Sequence, residues 1–168
     1  MLFENCFCTD SICTRSRATI LAGKYGHKNG CINLDAEFDG SQQTFPSLKP
    51  LLIGRTPADW RTSMYYHYQL GGIPNHYGIR TNRHKLIFFH GIEHSWLEDS
   101  VPRAKTPTWE LFDLKRDPKE MNNVYNDPAY TDIVKDLKNR LRQLKEKYED
   151  NDEFLPGLKQ ITRKHLYR

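Results

Sequence analysis

The chain has 168 residues, with 25 Lys and Arg against 21 Asp and Glu, a net charge of +4 and 12% aromatic residues. That length holds one domain with a real core or two very small ones, and the aromatic content argues against a disordered chain. Charges of both signs are interspersed and no apolar run approaches the ~20 residues of a membrane span, so neither nucleic acid nor a membrane is expected as a partner.

Residues 1–12 read as an apolar approach through Leu2, Phe3, Cys6 and Phe7, closed by the polar turn Thr9-Asp10-Ser11. Met1 to Asn5 has neither the basic start nor the apolar stretch of a signal peptide. Cys13 then stands before the helix-compatible run 14–22, and Gly23 is a C-cap for it. At that N-terminus, with Arg15 and Arg17 close in sequence, unpaired backbone N–H groups would lower the thiol pKa and hold a sulfate or phosphate ester. The alternative is an ordinary buried cysteine with solvated arginines. All four cysteines, Cys6, Cys8, Cys13 and Cys31, lie in the first fifth of the chain. Their spacing fits no zinc or redox motif, and a disulfide from Cys6 or Cys8 to Cys31 stays open.

The stretch from Gly26 to Gly40 reads as loop by its Gly, Asn and Asp content. Beyond it the pattern is α+β. Ser63 to Tyr68 is rich in aromatic β-formers, and His76 to Thr81 and Lys85 to His90 flank a tight Asn82-Arg83 turn, which predicts a hairpin. Trp109 to Leu114 is a fourth strand whose alternation leaves neither face cleanly polar. A helix over 128–149 is predicted from Asp127-Pro128, an N-cap followed by Pro. Its apolar stripe of Ile133, Val134, Leu137, Leu141, Leu144 and Tyr148 is expected to pack on the sheet, with a coiled-coil dimer as the rival. Residues 150–168 look like a basic tail with little to bury.

The run Ser11-Ile12-Cys13-Thr14-Arg15-Ser16-Arg17-Ala18-Thr19-Ile20-Leu21-Ala22-Gly23-Lys24-Tyr25, with Gln43-Thr44-Phe45-Pro46 after it, closely resembles the signature of the type I sulfatases. In that family the cysteine is oxidised to formylglycine, whose hydrate attacks the sulfur of a sulfate ester. The resemblance therefore implies Cys13 as the nucleophile precursor, with Arg17 and Lys24 steadying it, and gives His27 a candidate place in the site, a solvated loop histidine being its plainer reading. Arg15 departs from the family, which has Pro or Ala at the position that the maturing enzymes read, so Cys13 is expected to stay a thiol.

Tyr77-Gly78-Ile79-Arg80-Thr81-Asn82-Arg83-His84-Lys85-Leu86-Ile87, Trp109 to Leu114 and Asp117 to Asn123 resemble the C-terminal subdomain of the same family, in the variant of bacterial glycan sulfatases and glucosamine-6-sulfatases. That subdomain can contribute sugar contacts, which makes His76 and Arg80 candidate substrate-binding residues. A strand arginine paired with a carboxylate is the plainer reading of Arg80. The resemblance implies residues 1–46 as a short remnant of the α/β alkaline-phosphatase-like catalytic domain, 47–150 as the C-terminal subdomain and 151–168 as a tail, joined across an internal deletion near Phe45-Pro46-Ser47. It also implies calcium as cofactor, a sulfated glycan as partner and a periplasmic or secreted location. The family's calcium-binding acidic pairs, and its Lys and His that act on the sulfate, have no counterpart in this chain. The expectation is a sulfatase-family protein inactive in this form, and the alternative is a non-catalytic α+β module binding sulfated glycan or a protein partner.

Overall fold

The computed structural model describes residues 17–20, 24–30, 55, 58, 61–68, 74–92, 106–153 and 157–167. The chain divides into two compact units, Met1–Thr62 and Ser63–Arg168. In the first, residues 17–20 are helical, inside the predicted helix 14–22, whose other residues and Gly23 lie outside the described residues. The loop expected from Gly26 corrects to a one-turn helix, α1 (Gly26–Asn29), ended by Gly30 in the left-handed region at φ 85°. Asn29 is buried there and its Nδ2 donates to the Lys24 carbonyl at 3.0 Å, which folds the turn back on its own start.

The second unit is an antiparallel meander of four strands, β1 (Ser63–Tyr68), β2 (His76–Thr81), β3 (His84–Phe89) and β4 (Thr108–Asp113), in the order β1-β2-β3-β4. The β2–β3 hairpin is closed by Thr81, whose Oγ1 accepts from the amides of Arg83 and His84 and donates to the His84 carbonyl. β4 is an edge, and its outer side is covered. Asn123 accepts the Leu111 N–H and donates to the Trp109 carbonyl, while Val124 N–H pairs with the Leu111 carbonyl. Edge groups satisfied in this way are withheld from another chain.

Period-two alternation sorts the strands into two faces. On one face the cross-strand rows are His67-Tyr77-Phe88-Trp109 and Tyr65-Ile79-Leu86-Leu111. Apart from His67, every member of these rows is 7% exposed or less, and together they form the core. Asp127 accepts the Ala129 N–H at 2.9 Å and Pro128 opens a 3-10 turn, Pro128–Tyr130, that leads into α2 (Thr131–Lys147). α2 packs across β1, β2 and β3 on the core face through Leu137 and Leu141. The predicted stripe is right at those two positions, while Ile133, Val134 and Leu144 are only half-buried. The third buried position is Lys145.

The expected basic tail is also corrected. Residues 158–166 form a third helix, α3 (Leu158–Leu166), which buries Leu158, Thr162 and Leu166. Its N-cap is Gly157 at φ 82°, a left-handed backbone that favours glycine. Tyr77 Oη bonds Thr162 Oγ1 at 3.0 Å, and Lys138 of α2 donates to the His165 carbonyl at 3.3 Å. α3 therefore docks on the core face of the sheet beside α2. The buried positions recur every four residues, the spacing of one helical face, while Lys159, Arg163 and Lys164 point outward.

Candidate substrate-binding face

Of the residues read as catalytic, Cys13 lies outside the described residues. Arg17 and Lys24 belong to the first unit and both are exposed. His27 lies in α1, and its side chain is outside what is described. His76 and Arg80 belong to the second unit and share the face of β2 opposite the two long helices.

Three cross-strand rows cross that face: Tyr68-His76-Phe89-Thr108, Tyr66-Gly78-Ile87-Glu110 and Met64-Arg80-Lys85-Phe112. In the first row His76 is stacked on Tyr68, with ring centroids 5.4 Å apart and planes at 16°, and its other neighbour Phe89 is 4.9 Å away. His76 Nδ1 lies 2.8 Å from the Pro74 carbonyl, an acceptor only, so Nδ1 carries the proton. Burial pushes the imidazole pKa down, which keeps the ring neutral and leaves Nε2 as an acceptor.

The middle row depends on a glycine. A Cβ on Gly78 would meet the Leu86 carbonyl oxygen, Tyr66 Oη at 2.6 Å and Tyr66 Cζ at 2.8 Å. The missing side chain lets the Tyr66 ring lie across β2 between His76 and Arg80, which are roughly 13 Å apart along the strand.

In the third row Arg80 Nη1 is 3.4 Å from Glu120 Oε1, and Lys85 Nζ holds Glu120 Oε2. Glu120 has φ 56°, a left-handed conformation uncommon outside glycine, as it reaches two cations at once. Burial pushes the Glu110 carboxyl pKa up, with Lys85 opposing the shift and Glu120 adding to it.

A second polar cluster was missed in the sequence and lies in the core. Lys145 Nζ is 2.6 Å from Asp152 Oδ1 and 3.5 Å from Asp150 Oδ2, and stands 4.3 Å from the Tyr77 ring centroid. Tyr65 Oη donates to Asp150, and His67 Nδ1 lies 3.4 Å from the same carboxylate. The chain reaches this point by reversing at the end of α2. Glu149 adopts φ 54°, with Asp150 N–H on the Lys145 carbonyl and Glu149 N–H on the Glu146 carbonyl, the bond pattern of a Schellman cap. Burial opposes the Asp150 charge, but His67, Lys145 and Tyr65 outweigh it and hold the carboxyl well below the usual range. Lys145 stands four residues beyond Leu141 on the buried stripe, and that spacing is the signal that would have found it.

Among the described residues no group of three or more His, Cys, Asp or Glu could hold a metal ion. Asp150 and Asp152 already share Lys145, so the described residues do not fit the calcium that the resemblance implies.

Residues 36–147 match the family described as N-sulphoglucosamine sulphohydrolase, C-terminal. The chain belongs to this sulfatase family. The matched stretch covers all four strands and α2. This chain is 39% identical over 112 residues to an N-acetylglucosamine-6-O-sulfatase of Bacteroides thetaiotaomicron, covering 63% of this chain and 18% of that protein. It is 28% identical over 128 residues to an arylsulfatase of Clostridium perfringens, covering 71% of this chain and 22% of that one. The solved structure of BT4656 in complex with its substrate D-glucosamine-2-N,6-O-disulfate aligns with a TM-score of 0.51 at 37% identity, over 69% of this chain and 22% of the other. This sulfatase-family chain thus spans about a fifth of the length of the curated relatives it matches. Among the described residues no helix is long and apolar enough to cross a membrane.

Proposed function

We propose that this chain carries a sulfated-glycan-binding face of sulfatase descent, centred on His76 and Arg80, and that alone it does not hydrolyse sulfate esters. The observation that carries the reading is the set of side chains on the sheet face opposite the helices. A neutral histidine in an aromatic row and an arginine lie on either side of the Tyr66 ring, a combination suited to a sugar ring and its anionic substituent. The identity to an N-acetylglucosamine-6-O-sulfatase supports a 6-sulfated glucosamine unit as the ligand class of this reading. The family's location, periplasmic or secreted, is proposed with it.

Enzymatic acceleration demands on the order of 8–23 kcal/mol. Formylglycine chemistry would bring a deprotonated hydrate against an anionic sulfate, and the two residues that the resemblance gives for steadying it, Arg17 and Lys24, are both exposed. Exposed charges contribute little. Arg15, at the position read by the maturing enzymes, would leave Cys13 a thiol.

The test uses the whole chain with an aryl sulfate and 6-sulfated N-acetylglucosamine, with and without calcium, beside a binding titration of a sulfated oligosaccharide. Binding weakened at least tenfold by Arg80→Ala, without turnover, is the expected result. Turnover that vanishes in Cys13→Ala would overturn it, as would binding indifferent to both His76→Ala and Arg80→Ala. Intact-peptide mass spectrometry of residues 9–17 reads the state of Cys13 directly.

A further inference from the structure

His90 stands one residue beyond the end of β3 and is wholly buried, and neither the candidate face nor the Lys145 cluster uses it. Its Nδ1 accepts the Ile92 N–H at 3.3 Å, so in the neutral ring the proton is on Nε2. Nε2 is buried as well and has no hydrogen-bond partner among the described residues. A second proton can therefore enter only at Nδ1, the atom that holds Ile92. Taking it up turns the acceptor into a donor facing a donor, and the bond to Ile92 is lost.

Two neighbours of His90 are anchors of α3. Its ring stacks on Tyr77 with centroids 6.1 Å apart and planes at 30°, and Tyr77 Oη bonds Thr162 Oγ1 of α3. Ile92 lies beside Gly157, the N-cap of α3, where a Cβ would stand 3.8 Å from Ile92 Cδ1. One ring thus touches the sheet side of α3 at its start and at its middle.

No negative charge is set against a protonated His90. The groups that act on it are His67 of β1, with ring centroids 6.3 Å apart, His76 of β2 and Lys145 of α2, all positive when ionised. Asp150 and Asp152, beyond α2, are engaged by Lys145, and Asp150 by His67 as well. On α3 the titratable ring is His165, 5.7 Å from the Phe88 ring, while Lys159, Arg163 and Lys164 are exposed. A cation on His90 is relieved only by water, and water reaches it when α3 lifts. We propose that α3 is an acid-released clasp: protonation of His90 at Nδ1 breaks the Ile92 bond and undocks α3, while the sheet stays folded under α2.

The direction follows from linkage. The ring takes up a proton near the ordinary ~6.5 once exposed and at about 3 when buried, so docking is at full strength above pH 6.5 and is lost as the pH falls toward 3. Between pH 7 and pH 5 the docking equilibrium should shift about twentyfold toward release.

Hydrogen exchange on the full chain, read by NMR and corrected for the intrinsic rate, tests the clasp. Amides of residues 161–166 should lose protection at least tenfold from pH 7 to pH 5, while those of β2 and β3 keep theirs. His90→Gln, which keeps an acceptor for Ile92 but takes up no proton, should leave α3 equally protected at the two pH values, and His165→Gln should behave as wild type. Long-range proton–nitrogen spectra of the unaltered chain should show the His90 proton on Nε2 at pH 7. A smaller loss of protection, a loss shared by the strands, a loss that persists in a folded His90→Gln chain or vanishes in His165→Gln, or a proton on Nδ1 would each sink the proposal.

Discussion

Replacing Lys145 with methionine tests the core cluster most directly. The side chains of Lys145, Asp150 and Asp152 are 1%, 1% and 4% exposed, and both ion-pair distances fall within 3.5 Å. Methionine keeps the length and apolar stem of lysine but removes the ammonium, leaving two carboxylates buried without their cation. Breaking one side of such a cluster costs ~3–5 kcal/mol, because the remaining charges are stranded rather than because the pair itself is worth that much. With urea m-values of ~1–3 kcal/mol/M, the midpoint should fall by about 2 M. The pH dependence gives the mechanism. Without the ammonium, less offsets the burial that opposes the Asp150 charge, so the Asp150 carboxyl moves up from where Lys145 helps to hold it, and the loss shrinks as the pH falls and it takes up a proton. The triple variant Lys145→Met, Asp150→Asn, Asp152→Asn should recover most of the loss, since it removes the charges together. Urea unfolding followed by circular dichroism at pH 7 and pH 4.5 measures all of this. A Lys145→Met loss below about 1 kcal/mol at pH 7, or one equal at both pH values, would refute the reasoning.

Leu141→Ala should cost ~2–5 kcal/mol, while Gln143→Ala on the exposed side of the same helix should stay within about 0.5 kcal/mol, both read from urea midpoints. Gly78→Ala should cost roughly 1–3 kcal/mol, because the Leu86 carbonyl is backbone and cannot swing away; a neutral effect would mean that the Tyr66 ring does not lie across Gly78. Burial, with His67, His76 and Lys145 nearby, pushes the fully buried His90 down to about 3. A folded-state histidine pKa below the unfolded ~6.5 means that the neutral form is stabilised above pH 6.5 and the advantage is lost as the pH falls toward 3. Thermal or urea unfolding should therefore show stability dropping by roughly 2 kcal/mol between pH 6.5 and 5, and His90→Phe should flatten that slope; an unchanged slope would remove His90 as the cause.

The strands, the hairpin at Asn82-Arg83 and the start of the helix at Asp127-Pro128 were legible because each is a local signal of period, turn residue or cap. Leu137 and Leu141 followed from the same period. Lys145 did not, because a lysine on an apolar stripe normally ends the stripe, and its partners Asp150 and Asp152 come after a chain reversal that Glu149 makes in a conformation usually reserved for glycine. α3 was hidden by Lys159, Arg163 and Lys164, whose charges dominate a nine-residue segment with buried positions at Leu158, Thr162 and Leu166. At the candidate face, His76 and Arg80 were named from their place in a motif. That they share a face followed from their even spacing, but Glu120, which engages Arg80 from forty residues away, carries no local mark of that role.

Two of the bonds from sheet to C-terminal segment, Tyr65 to Asp150 and Tyr77 to Thr162, each span 85 residues, whereas the four strands pair only with their neighbours in sequence. Local pairings form early and distant ones must first meet the entropy of closing a long loop. During synthesis the meander can therefore assemble as its hairpins emerge. The hydroxyls of Tyr65 and Tyr77 must wait for residues 150–162, leaving the newly made sheet with two unsealed polar groups on its apolar face until the last helix arrives.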